Sequence, residues 1–207
     1  TAKDNIDAAT KDADVTTAKN TGVGKINNIN VPTTSATKDA AKDAIDQAAK
    51  TKDDAIDASN LTAEEKDALK KTVAGEVQTA KDNIDAATKD ADVTTAKNTG
   101  VGKINNINVP TTSATKDAAK DAIDQAAKTK DDAIDASNLT AEEKDALKKT
   151  VAGEVQTAKD NIDAATKDAD VTTAKNTGVG KINNINVPTT SATKDAAKDA
   201  IDQAAKT

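Results

Sequence analysis

Residues 59–88 read SNLTAEEKDALKKTVAGEVQTAKDNIDAAT. Their apolar positions, Leu69, Val73, Val77, Ala80, Ile84 and Ala87, are spaced by 4, 4, 3, 4 and 3 residues, which traces one face of an α-helix. The stretch also carries its own start signal. Thr62 can accept from the third helical amide while Glu65 reaches back to the Thr62 amide, a capping box. Glu64 and Glu65 stand where the helix dipole favours negative charge. A helix, B, is therefore predicted from Thr62 to about Thr88, and a preceding helix, A, ends near Ser59.

Working outward, the same period recurs on both sides. In helix A, Ala41, Ile45, Ala48, Lys52 and Ile56 step by 4, 3, 4 and 4, with the lysine stem covering the apolar gap. A shorter helix C carries Val15, Ala18, Gly22, Ile26 and Ile29 at steps of 3, 4, 4 and 3. Val15–Ile26, Ile45–Ile56 and Val73–Ile84 are each 11 residues apart, three turns at about 3.67 residues per turn. Such helices are expected to lie nearly straight, without a strong left-handed supercoil. Alanine fills the other core positions, so the axes can approach closely.

The pattern is repeated in full. Thr1-Ala2-Lys3-Asp4 returns at Thr79 and Thr157, a period of 78 residues with no substitution between copies. Identity of this kind follows from recent duplication, so copy number can vary without each surface residue being selected. The core is thin: about 15% of each period is large aliphatic, close to the range of disordered chains. The small net charge per residue and the helical spacing argue for a folded array instead.

The boundaries come from local chemistry. Asp12 or Asp14 can cap helix C, which is expected to run to about Asn30. Gly22, Gly24, Asn27 and Asn28 weaken it, so it depends on Ile26 and Ile29, and an extended Gly22–Asn30 is the alternative. Val31 precedes Pro32 and so avoids the α region. Thr33, Thr34 or Ser35 then caps the next helix A. The segment GVGKINNINVPTT (22–34, 100–112 and 178–190) thus ends in a short, stiff joint. The expected fold is all-α: up-down-up three-helix bundles stacked end to end into an elongated rod. Residues 1–34 form the C-terminal part of one repeat, 35–112 and 113–190 are complete repeats, and 191–207 begin another. The array is expected to be a piece of a longer protein. Helix C is too short to cover the A–B tip, so Leu61 and Leu139 are expected to bury against the following repeat, near Val109–Ala114 and Val187–Ala192.

Composition removes most chemistry. There is no His, Cys, Met, Phe, Tyr or Trp, and all 29 basic residues are lysine. No imidazole can serve as a base near neutral pH, no thiolate can attack or bind metal, and no aromatic or arginine can stack on bases or fork onto phosphate. The net charge of −6 opposes nucleic acid and anionic membranes as partners. Asp12–Asp14 and Asp53–Asp54 lack the glycine and closing glutamate of a calcium loop. They read as a cap and a solvated face. Gly22-Val23-Gly24 lacks the rest of a dinucleotide fingerprint. Asp7–Lys11, Asp46–Lys50 and Asp67–Lys71 are expected as weak surface pairs. No catalytic, cofactor-binding or metal residue is assigned, no cofactor is expected, and the chain is expected to be a non-enzymatic monomer.

AKDAIDQAAKTKDDAID, LTAEEKDAL, NIDAATKDADVTTAK and the glycine before INNI resemble the helical repeat known as domain of unknown function 1542. The likeness covers the whole period and departs only at the Asn- and Gly-rich end of helix C, where that family shows more alanine. The resemblance implies a wall-anchored surface protein of Gram-positive bacteria, related to the extracellular-matrix-binding protein homologue, with roles in adhesion or biofilm formation. Repetition without a chemical site, together with a stiff joint, leads to a stalk that holds a separate adhesive domain off the cell wall. The alternative is a multivalent module that binds a host matrix or plasma protein weakly through each repeat. The absence of Trp, Tyr, Arg and Met anchors weighs against it.

Overall fold

A computed structural model describes residues 1–206 of the chain. Among the described residues there are nine α-helices and no strand. They are α1 (Ala2–Asp7), α2 (Asp12–Asn27), α3 (Ala36–Asp57), α4 (Ala63–Ala86), α5 (Asp90–Asn105), α6 (Ala114–Ala136), α7 (Ala141–Ala164), α8 (Asp168–Asn183) and α9 (Ala192–Ala204). Helices α3, α4 and α5 each pack on the other two, α6, α7 and α8 do the same, and α1 packs on α2. The faces read from the spacing are the ones that meet. Ile45, Ile56, Val73, Ile84, Val93 and Ile104 build one core, with Leu69, Val77 and Ala87 half-buried at its margin. The corresponding residues of α6–α8 build the other.

Helix starts follow the expected caps with one correction. Ser35, Ser113 and Ser191 are the N-caps of α3, α6 and α9, and each accepts from the amide three residues on. Thr62 and Thr140 form complete capping boxes with Glu65 and Glu143. The short helices are not capped by Asp12 or Asp14. Lys11, Lys89 and Lys167 take the N-cap position without a side-chain bond, and the aspartates lie in the first turn, where their charge still faces the helix dipole.

The short helices also end earlier than expected, at Asn27, Asn105 and Asn183 rather than near Asn30 and its copies. Gly22–Asn27 is helical, and the chain is irregular beyond Asn28. α2 has no long helix before it and stops at the same place as α5 and α8, so the stop is local to the Asn-rich segment ahead of the proline. The stem of Lys52 lies on the apolar face of α3, and its ammonium donates to the carbonyls of Asn105 (2.9 Å) and Ile107 (2.7 Å). Lys130 does the same for Asn183 and Ile185. In the complete repeats these orphan carbonyls are thus satisfied by a neighbouring helix. Lys38 and Lys116 likewise bond Asp85 and Asp163 carbonyls, and Lys66 bonds that of Asp57. No described residue has a positive φ. The helices α3 to α8 close on ammonium groups instead of left-handed glycines.

Surface charge pairs differently from the local expectation. Asp46 pairs across helices with Lys81 (2.6 Å), Lys50 pairs with Asp54 (2.6 Å), and Lys42 pairs with Asp85 (2.5 Å). The expected Asp46–Lys50 pair is replaced because α4 brings a cation closer to Asp46. Asp53 is half-buried rather than solvated, and one of its carboxylate oxygens is buried without a hydrogen-bond partner.

One glycine sets how near the axes come. A Cβ placed on Gly100 would lie 2.5 Å from the Ala80 Cβ and 2.8 Å from the Ile45 Cδ1, whereas one on Gly102 meets nothing within 4 Å.

The copies serve as controls on one another. Ile104 is 0% exposed in its three-helix unit, while the same residue in α2, Ile26, is 65% exposed. Ile45 is 0% exposed, and its copy in α9, Ile201, is 69% exposed. Burying one such side chain contributes about 1.5–3 kcal/mol.

Candidate functional site

The hairpin tip between α3 and α4 is where sequence, burial and hydrogen bonding converge. The Ser59 hydroxyl donates to the Ile56 carbonyl (2.6 Å) and closes the end of α3. The chain then turns through Asn60 and Leu61 into Thr62. Leu61 is only 5% exposed and its copy Leu139 only 6%. Leu139 shares an apolar groove of about 270 Å³ with Leu147, Pro188, Thr190 and Ala192. This places it against the start of the following helix, in the stretch expected from the sequence.

Glu65 ties the two repeats. One carboxylate oxygen accepts from the Thr62 amide (3.0 Å) and completes the capping box of α4. The other accepts from the Thr115 amide (3.1 Å) in the first turn of α6. One carboxylate therefore satisfies orphan amides at the starts of two helices from adjacent repeats. Glu143 repeats the arrangement with Thr140, Thr193 and α9. The Thr140 amide, then the Ser191 hydroxyl, hold the Glu143 carboxyl down at about 2, with further help from Thr193. At Glu65 burial pushes the carboxyl up, but bonds from Thr62, Ser113 and Thr115 outweigh it and the net displacement is downward.

A second set of contacts reaches further along the chain. The Ala63 amide donates to the Thr166 carbonyl (2.8 Å), and the Asp168 amide donates to Glu64 Oε2 (3.0 Å). The tip of one repeat thus touches the α7–α8 turn of the next. Thr62 is fully buried there, whereas Thr140, with only α9 beyond it, is half-buried. Ser35, which has no preceding hairpin tip, is exposed, yet Ser113 is 3% exposed. The tip, rather than the proline segment, is what covers the joint.

The joint also holds a polar cleft of about 410 Å³ lined by Asn60, Thr111, Ser113, Lys116, Lys120 and Asp163. Its cations are engaged: Lys116 bonds the Asp163 carbonyl and Lys120 pairs with the Asp163 carboxylate. Among the described residues no group of three or more acidic, His or Cys side chains is placed to hold a metal ion. No helix there is long and apolar enough to cross a membrane. Leu61 and the Thr62–Glu65 box were legible from sequence. The reach of Glu65 to Thr115 and of Glu64 to Asp168 was not, because it joins residues 50 and 104 positions apart.

No curated protein and no solved structure matches the chain. Residues 1–34, 37–112 and 115–190 each match one family, described as Domain of Unknown Function (DUF1542). These three tandem matches take in nearly the whole sequence, and the chain belongs to the DUF1542 family.

Proposed function

We propose that this chain is a spacer. Its three-helix repeats run up, down and up, stack end to end into a rod, and hold an adhesive domain away from a bacterial cell wall. The observation that carries this reading is the joint: one carboxylate caps two helices of neighbouring repeats while Leu61 is buried between them. A tether needs no such contact, and stiffness follows from one. The open groove of α3 and α5, lined by Ala44, Ala48, Val101 and Gly102, is the surface that a weak multivalent adhesin would use. It offers no aromatic or arginine anchor.

The chain has no cysteine, so two introduced cysteines can be spin-labelled without background. Thr99→Cys in α5 and Ala152→Cys in α7 are exposed positions on either side of the joint. In dilute solution the label distance is expected to be narrowly distributed, and Glu65→Ala or Leu61→Ser is expected to broaden it. A distribution already broad in the parent, and unchanged by either substitution, refutes the rigid spacer.

A further inference from the structure

We propose that complete repeats of two copies of this chain pack side by side, the outer face of α4 from one copy seated in the groove between α3 and α5 of the other. The groove, about 650 Å³, has Ala44, Ala48 and Thr51 on one wall and Asn98, Val101 and Gly102 on the other. Among the described residues that line it, Lys97 alone is charged. Elsewhere in the unit the half-buried lysines have acceptors. Lys38, Lys52 and Lys66 bond carbonyls, and Lys42, Lys70 and Lys81 pair with carboxylates. Lys97 and its copy Lys175 are half-buried and do neither among the described residues. An ammonium that has lost part of its water without gaining an acceptor favours an occupant that brings a carboxylate. Neighbouring repeats along the chain do not cover the groove. The first unit has a complete repeat after it and the second has one before it. Ala44, Lys97, Val101 and Gly102 are nevertheless half-buried to the same degree as Ala122, Lys175, Val179 and Gly180.

The carboxylate that fits is on α4. Because α3, α4 and α5 each pack on the other two, α4 lies across the unit from the groove and turns its outer face the opposite way. That face exposes Gly75, Thr79 and Asp82. Asp82 accepts from Gln78 (2.7 Å) on its own helix and makes no ion pair among the described residues. Contacts inside the unit fix the heights: Lys42 pairs with Asp85, Asp46 with Lys81 and Lys103 with Glu76, and Ala80 stands beside Gly100. Asp82 is therefore level with Ala44 and Lys97, and Gly75 is level with Thr51 and Asn105. A second copy pointing the same way, displaced sideways with no shift in height, brings its Asp82 to Lys97. A Cβ on Gly75 or on Gly102 would meet nothing within 4 Å, so the two backbones can approach closely there. Since the repeats are identical in sequence, the same displacement sets Asp160 at Lys175, and the two contacts reinforce each other. Each added copy still presents an unused groove and an unused α4 face, so the association is heterologous and open sideways. This departs from the monomer expected of the composition.

Sedimentation equilibrium of the intact 207-residue chain over a concentration series tests this. The mean mass is expected to rise with concentration, pass that of a dimer, and fall again as salt is added. Lys97→Glu with Lys175→Glu is expected to weaken association roughly tenfold or more. Asp82→Lys with Asp160→Lys is expected to do the same, and the four substitutions together to restore it. Melting followed by circular dichroism checks that each variant is folded. Gln47 and Gln78 are exposed, one at the groove and one on the α4 face. A Gln47→Cys chain mixed with a Gln78→Cys chain is expected to form the mixed disulfide in preference to either symmetric one. A chain that stays monomeric to about 1 mM overturns the proposal, whether or not the groove takes up some other acidic helix. So does association that the charge reversals leave unchanged, a fourfold variant that fails to restore it, or disulfides formed without preference. The spin-label distances across the joint are measured in dilute solution and stand apart from either result.

Discussion

Gly100 and Gly102 lie two residues apart on α5 and are both replaceable by alanine, yet the packing predicts opposite outcomes. An alanine in a helix interior is favoured over glycine by about 1 kcal/mol. At Gly102 nothing lies within 4 Å of the new methyl, so Gly102→Ala is expected to stabilise each repeat by about 0.5–1 kcal/mol. At Gly100 the methyl would stand 2.5 Å from the Ala80 Cβ and 2.8 Å from the Ile45 Cδ1. The isoleucine tip can swing away, but the alanine Cβ is fixed to its backbone, so α4 and α5 must separate. Overpacking of this kind costs about 1–3 kcal/mol, which leaves a net loss of about 0–2 kcal/mol per repeat after the propensity gain. Each substitution is to be made in both complete repeats, with Gly178 or Gly180, so that unfolding stays uniform along the array. Urea unfolding followed by circular dichroism reads the difference. If Gly100→Ala stabilises as much as Gly102→Ala, α4 and α5 do not approach this closely and the packing of the unit is wrong.

Lys52→Met with Lys130→Met keeps the apolar stem and removes the ammonium from two carbonyls of the short helix, with an expected cost of about 1–2 kcal/mol per repeat by chemical unfolding. Lys50→Met with Lys128→Met removes only an exposed i, i+4 pair and is expected to move the unfolding midpoint far less. The Glu143 carboxyl sits at about 2 in the folded chain against its ordinary 4.5. Its contribution is therefore fully present above pH 4.5, declines as the pH falls from there, and is gone below about pH 2. The melting-temperature difference between the parent chain and Glu143→Gln is expected to follow that course. A difference that vanishes already at pH 5 contradicts it.

What the sequence showed plainly was whatever depends on near neighbours along the chain. The Thr62 box, the three helical faces and the stop before Pro110 each involve residues within a turn or two. Leu61 was legible for another reason, being a large apolar side chain with no partner inside its own repeat. The failures differ in kind. Lys11 and Lys89 both stand as N-cap, and Asn27 and Asn105 both end their helices, whether or not a long helix precedes, so those two lie in the local chain itself. Asp46 preferred Lys81 to its local neighbour because the packing of α4 on α3 brings that cation close, which spacing along the chain does not show. Ser35 and Ser113 have identical sequence surroundings and opposite exposure. Local reading cannot separate them, because what differs is the hairpin that precedes one and not the other.

The docked α7–α8 turn has a consequence for proteolysis. Lys11, Lys89 and Lys167 stand at the same place in the period, each exposed and each outside a helix. A lysine-specific protease must draw such a segment out of place before cutting it. Around Lys89 no hydrogen bond from another repeat holds the turn among the described residues, whereas beside Lys167 the Thr166 carbonyl accepts from Ala63 and the Asp168 amide is held by Glu64. Cleavage after Lys167 thus requires the joint to open first, while cleavage after Lys89 does not. Within these 207 residues the ratio of the two cuts reports how often this joint is closed, a reading of stiffness taken with an enzyme and a gel.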